Sequence, residues 1–258
     1  MKIAVAGATG RIGRHTVDVL EERGHDVVPM SRTTGVDLVT GEGLEAALAG
    51  VERVIDAAST PTPDEQEATE HFRTATRNLH SAGSRTGVAR LVAVSIIATD
   101  QFTTGYGAAK VAHEQAMLAG PIPAQIVRIS QFHEFVPQLL EWGTEGAVAH
   151  VLQMRIQPVA ARSAAEVLVD LALAPEFSND PIAEVAGPRA EELVDLAAQV
   201  VARRGDAVRV EGVSEPLLGD AVLQQHGGLL PSPHATLVGP TFEAWLDADV
   251  PSITGSKA

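Results

Sequence analysis

Seven residues near the start of the chain, Gly7-Ala8-Thr9-Gly10-Arg11-Ile12-Gly13, follow directly on the strand-like run Lys2-Ile3-Ala4-Val5-Ala6 and open a stretch of helical periodicity. Three glycines at this spacing between a strand and a helix leave few folds open. Gly7 permits a tight turn, Gly10 lets the backbone approach a bound group, and Gly13 lets helix and strand pack with no side chain between them. The free N–H groups of the first helical turn, aided by the helix dipole, then hold an anion. A triphosphate-binding loop needs Lys followed by Ser or Thr after its last glycine; Arg14-His15 stands there instead, so that alternative fails. The turn, with Thr9, Arg11 and Ile12 in it, predicts a cradle for a dinucleotide pyrophosphate.

The rest of the first half fits that beginning. Strand-like runs at 2–6, 26–30, 52–57, 89–94 and 124–129 alternate with helical stretches near 11–23, 42–49, 63–85 and 106–119. This is the pattern of consecutive βαβ units. It predicts an α/β fold, a Rossmann-type doubly wound parallel sheet. Beyond residue 130 the rhythm changes to a helix near 132–143, a strand at 156–160, a helix from 164, a strand at 182–186 and a helix near 189–203. We read one domain over 1–258. Its core, 1–130, binds the dinucleotide; 131–258 adds the last sheet strand or strands and a small substrate-binding lobe. Thr62 and Ser163, each followed three residues on by Glu, are the expected N-caps of their helices. The Gly- and Pro-rich tail should wrap the lobe irregularly, with 251–258 as a loose end.

Composition sets the class of partner. The 258 residues carry a formal net charge of −14, which opposes phosphate backbones and anionic lipid, so neither nucleic acid nor a membrane is expected as partner. A small-molecule substrate is expected, and a homo-oligomer stays open. No cysteine is present. No metal site is expected either, since His133-Glu134 lacks the second histidine of an HExxH pair, Pro137 standing in its place. With no leader segment and no apolar run near the roughly 20 residues that cross a bilayer, the chain is read as cytoplasmic.

The second strand ends Met30-Ser31-Arg32. Domains that prefer NAD usually place a carboxylate there for the ribose hydroxyls, and a carboxylate would repel a 2′-phosphate. Ser31 and Arg32, with Arg11 as a second cation, favour NADP(H) over NAD(H). Asp37 and Leu38 are expected beside the adenine, and Ala57, Ala58 and Ser59, after the third strand, leave room for the ribose and phosphates.

The chain has one tyrosine, Tyr106, and its only interior lysine, Lys110, lies four residues on. At that spacing the two share a helix face, so the ammonium can favour the phenolate and bond the nicotinamide ribose. In carbonyl reduction Tyr106 would protonate the developing alkoxide, with Ser95, at the end of strand four, steadying that oxygen.

The glycine turn, Val54-Ile55-Asp56-Ala57-Ala58, Tyr106-Gly107-Ala108-Ala109-Lys110 and Val127-Arg128-Ile129-Ser130-Gln131-Phe132-His133-Glu134-Phe135 together resemble the short-chain dehydrogenase/reductase superfamily, in particular its atypical branch of NmrA-like NAD(P)-binding proteins. The resemblance implies that Ser130, Gln131, Phe132 and His133 border the nicotinamide and substrate. It implies an NAD(P)H-dependent oxidoreductase acting on a small carbonyl, quinone or similar acceptor. Two other activities occur among such proteins: non-catalytic sensing of NADP while regulating a protein partner, and epimerisation of nucleotide sugars.

Overall fold

The computed structural model describes residues 1–177, 180–214, 220, 223 and 227–248. Its centre is a seven-stranded sheet, all parallel, in the order β12-β9-β5-β4-β3-β1-β2. These strands are β1 Lys2–Ala6, β2 Asp26–Met30, β3 Arg53–Asp56, β4 Arg90–Ile96, β5 Ala124–Ile129, β9 Ile182–Ala186 and β12 Thr236–Leu237. β1, β3, β4 and β5 are buried along most of their length, as a parallel sheet covered on both faces requires. α1 (Arg11–Glu22) and α6 (Ala161–Leu173) cover one face, burying Val19, Leu20, Leu168 and Val169 against Ile3, Val5 and Ile55. α2 (Leu44–Ala47), α3 (Glu65–Thr86) and α4 (Gly105–Leu118) cover the other, with Leu44, Leu79 and Met117 against Ala4, Val54 and Leu91. The chain runs outward from β1 to β2 and then returns across β1 to β3, so the order reverses at β1. Ligands of open α/β sheets bind beyond the carboxyl ends of the strands at such a reversal.

A smaller lobe stands over that edge. It consists of α5 (Phe135–Trp142), α7 (Leu193–Arg204), α8 (Phe242–Ala248), a three-stranded sheet and a two-stranded one. In the first, β7 (Val148–Leu152) lies between β6 (Thr144–Glu145) and β11 (Arg209–Val213); in the second, β8 (Arg155–Ile156) pairs with β10 (Glu191–Glu192). The lobe has its own core, built on Val136, Leu140, Val151, Ile156, Leu196, Val200 and Phe242.

Several elements depart from the sequence reading for identifiable reasons. α3 is capped not by Thr62 but by Asp64, whose carboxylate accepts the Glu67 N–H at 2.9 Å; the Thr62 hydroxyl accepts the Asp64 N–H instead. Ser163 lies inside α6, which starts at Ala161 because the carboxylate of Glu134, remote in sequence, accepts the Ala161 N–H at 3.1 Å from both oxygens. The strand expected at 156–160 shrinks to Arg155–Ile156 plus one bridge between Val159 and Phe132. The helix expected near 189–203 begins only at Leu193, because Glu191–Glu192 extends to pair with β8. The tail is more regular than its glycines and prolines suggested: β12 completes the main sheet and α8 sinks Phe242 into the lobe core. The segment 251–258 lies outside the described residues.

Glu134 caps one of the two helices that cover one face of the sheet, so Glu134→Ala is expected to lower stability by about 1–2 kcal/mol, in the range of a lost N-cap. Urea unfolding followed by circular dichroism should show a lower midpoint with an unchanged slope.

Candidate functional site

A cleft of about 910 Å³ runs along the carboxyl edge of the sheet, from the glycine turn past the ends of β2, β3, β4 and β5 to the lobe. All the candidate site residues named from the sequence line it except Gly13 and His133. Gly13 serves from beneath: a methyl group there would collide with the Gly7 carbonyl. Gly7 has φ +71° and sits so close to the Ala57–Ala58 backbone that no side chain fits. The turn is tied by Gly10 N–H to Gly7 O at 2.9 Å and by Ala8 N–H to Met30 O at 3.2 Å. Gly10 occupies the N-cap of α1, no side chain caps the helix, and its first turn holds no acidic residue. The open first-turn N–H groups and this backbone cradle fit a dinucleotide pyrophosphate.

At the β2 end, Ser31 caps a 3-10 turn, Arg32–Thr34, and its hydroxyl contacts that of Thr33 at 2.8 Å. Arg32 is exposed and forms no ion pair among the described residues. Asp37 spends one carboxylate oxygen on the N–H groups of Val39 and Thr40, at 2.7 and 3.1 Å. His71, on α3, also lines this end. Burial pushes its pKa down, against the pull of nearby Asp37. Arg11 departs from expectation. Its guanidinium lies over the Phe135 ring, 5.4 Å from the centroid, and donates to Gln138, so it is engaged with α5 rather than held as a second cation beside Arg32.

Farther along, Tyr106 and Lys110 project from the first turns of α4, an end fixed by the Glu65 carboxylate on Gly105 N–H at 2.7 Å and the Asp220 carboxylate on Thr103 N–H at 2.6 Å. The hydroxyl beside the phenol is Ser59, at 3.1 Å. Burial raises the phenol's pKa, only partly offset by Ser59, so the proton stays on and the expected phenolate is not favoured. The Lys110 ammonium is directed elsewhere: it donates to Val94 O at 2.9 Å and to His113 Nδ1 at 2.8 Å. Burial brings its pKa down to about 8, with Asp56 and Glu114 opposing. Ser95 is buried, its Oγ 3.0 Å from Thr99 Oγ1. Because Thr99 spends its single proton on Ile96 O, Ser95 must donate to Thr99, and offering that proton to a substrate oxygen requires breaking this bond.

At the end of β5, Ser130, Gln131 and Phe132 border the cleft. His133, expected with them, turns inward. It is fully buried, its Nε2 lies 2.9 Å from Pro158 O, and its ring packs edge-on against Phe242 and Trp245. It supports the lobe rather than a ligand. The sequence reading missed the wall the lobe supplies, Val136, Leu139, Met154, Ile156 and Leu193, because those residues converge from four separate segments. It also missed His113 behind Lys110, although the three-residue spacing on one helix was a legible signal.

Residues 7–120 match the family model described as NAD(P)H-binding. Over that stretch the chain is similar to NAD(P)H-binding domains. No curated protein matches the sequence. Among solved structures, a dTDP-4-dehydrorhamnose reductase from Bacillus anthracis in complex with NADP superposes with a TM-score of 0.72 at 18% identity, covering 96% of this chain and 97% of that one. A UDP-N-acetylglucosamine 4-epimerase from Bacillus cereus gives 0.73 at 16% identity, covering 100% and 98%. An NADPH-dependent quinone oxidoreductase from Escherichia coli gives 0.68 at 18%, covering 95% and 98%. The chain thus shares the α/β fold of these three proteins. Among the described residues no helix is long and apolar enough to cross a membrane.

His133 makes a pH prediction. Burial holds its pKa at about 4, below the ordinary 6.5. Between those values the unfolded chain binds a proton that the native one refuses, so this contribution is complete above pH 6.5 and is lost as pH falls towards 4, by roughly 3 kcal/mol at most. Denaturation midpoints measured from pH 7 to 4 should fall less steeply for His133→Phe than for the parent protein.

Proposed function

We propose that the protein is an NADPH-dependent reductase of a small, largely apolar acceptor, a ketone or a quinone. One observation carries this reading: the cleft runs unbroken from the glycine turn, past Tyr106, to the hydrocarbon wall of Val136, Leu139, Met154, Ile156 and Leu193. Such a wall gains free energy by covering apolar substrate and offers nothing to a sugar diphosphate. Of the two arginines that line the cleft, Arg11, the one that reaches α5, is already engaged by Phe135 and Gln138, which counts against a nucleotide-sugar epimerase.

When bound, the dinucleotide supplies a hydride to the acceptor carbon. Gly7, Gly10 and the first turn of α1 would hold its pyrophosphate, Arg32 its 2′-phosphate, and Asp37 and Leu38 its adenine. Ala57, Ala58 and Ser59 would border the ribose and phosphates. Tyr106, kept protonated by burial, gives its proton to the acceptor oxygen, so carbonyl, hydride and proton balance as an alcohol. Ser59 is exposed and bonded to the phenol, and returns a proton from water. Lys110 contributes positive charge to the wall of the cleft. Ser95, once released by Thr99, can join Tyr106 at the acceptor oxygen, and Ser130, Gln131 and Phe132 would flank the acceptor. A dinucleotide sensor without turnover is the second reading, favoured by the Lys110 ammonium being directed to Val94 and His113 rather than to the phenol.

Arg32→Ala should weaken NADPH binding about 10- to 100-fold in calorimetric titration, as loss of a charge-assisted contact does, and leave NADH binding unchanged. Tyr106→Phe should lower kcat at least about 100-fold against a panel of ketones and quinones, with NADPH affinity retained. A panel that yields no turnover despite tight NADPH binding would favour the sensor.

A further inference from the structure

Behind the cleft, the last residue of β3 and one face of α4 meet in an arrangement that the glycine turn and the Tyr106–Lys110 pair do not explain. Lys110 Nζ donates to His113 Nδ1 at 2.8 Å, and His113 Nε2 lies 3.4 Å from Asp56 Oδ2. The other Asp56 oxygen accepts the Ala58 N–H at 3.0 Å. The three side chains are 3%, 2% and 4% exposed. Phe72 seals them, stacking on the His113 ring at 4.6 Å and lying 4.7 Å from the ammonium.

The donor count fixes the tautomer. An ammonium has no lone pair, so Nδ1 must accept and the ring proton sits on Nε2, facing Asp56. Charge then alternates inward: ammonium, neutral imidazole, carboxylate. A lysine placed in apolar surroundings without such support sheds its proton, and a wall group that must be cationic would fail.

We propose that His113 and Asp56 are positioning residues for Lys110, holding its ammonium charged and fixed in the wall of the cleft where the dinucleotide binds. This rests on the dinucleotide site described above, and its catalytic consequence on the reductase reading. The groups facing the ammonium are Asp56 from β3, Val94 O from β4, Phe72 from α3, and His113 and Glu114 from α4. Glu114 is itself held by a two-pronged contact with Arg128 of β5, at 3.0 and 2.8 Å, which leaves Asp56 as the carboxylate free to serve Lys110 through His113. Desolvation depresses both Lys110 and His113, and Asp56 acts against it on each. As pH rises through about 8, Lys110 loses its proton and the cleft loses that charge.

The chain contains three lysines, Lys2, Lys110 and Lys257, so carbon-13 labelling at lysine Cε gives three resonances, with Lys110 assigned by Lys110→Met. In the full-length parent its signal should titrate near pH 8. Asp56→Asn keeps an acceptor for the ring proton and removes only the charge; His113→Leu removes the link. Each should bring the midpoint down by about one pH unit or more, as loss of a supporting charge or hydrogen bond does. NADPH affinity at pH 8 should fall at least several-fold in both and recover towards pH 6.5, a recovery that simple loss of packing would not produce. A Lys110 midpoint unmoved in either variant would overturn the proposal. Movement of the midpoint with no turnover on any acceptor would uphold the positioning role of His113 and Asp56 and overturn the reductase reading. Turnover whose alkaline limb is the same in parent and variants would do the reverse.

Discussion

Three stretches of backbone meet beneath the candidate cofactor site with no side chain between them. Gly13 of α1 sits against the Gly7 carbonyl, and Gly7 against the backbone of Ala57 and Ala58 after β3. That contact is possible only without Cβ atoms, and it fixes how close α1 stands to the sheet at the point where strand order reverses. The rest follows from it. An uncapped helix N-terminus is left facing a cleft, β3 ends where its small residues border that cleft, and Asp56 is placed one residue behind them, within reach of α4. The backbone cradle of the glycine turn and the buried carboxylate behind Lys110 thus share one geometric origin.

This shared origin explains why some of the site was legible in the sequence and some was not. A requirement for glycine is absolute and local, so the turn, the strand before it and the helix after it could be read from seven residues. Tyr106 and Lys110 were legible through helical spacing. What the spacing could not carry was direction: Lys110 turns to Val94 and His113 because a carbonyl and an imidazole await it there, and those partners belong to a strand sixteen residues back and to the next turn of the helix. His133 shows the same limit. One residue beyond Phe132 the chain turns through Phe132 O to Phe135 N–H and His133 O to Val136 N–H, and that turn alone decides that Phe132 faces the cleft while His133 faces Phe242.

The lobe was the least legible part. Its strands are short, and β7 pairs in parallel with β11, across more than fifty residues; no local pattern encodes a two- to five-residue strand whose partner is so distant. Caps failed for a related reason. Thr62 and Ser163 both satisfy the local rule for an N-cap, yet Asp64 lies closer to the first turn of α3, and Glu134 reaches α6 from 27 residues away. In both places a carboxylate takes the helix end instead of the hydroxyl, because it brings negative charge to the positive end of the dipole.

Burial of charge is the cost that ties the lobe to the sheet. Glu134, placed between α6 and the sheet's edge, is raised in pKa by burial and lowered by the Ala161 N–H and by Arg11 and Arg14. Arg11 in turn is half-buried against Phe135 of α5. A single turn of α1 therefore contributes N–H groups to one side and a cation to the other. Any ligand that draws Arg11 towards itself must withdraw it from Phe135 and Gln138, loosening the contact between α1 and α5. Arg11 is thus the side chain through which the glycine turn touches α5, the helix that carries Val136 and Leu139 of the apolar wall.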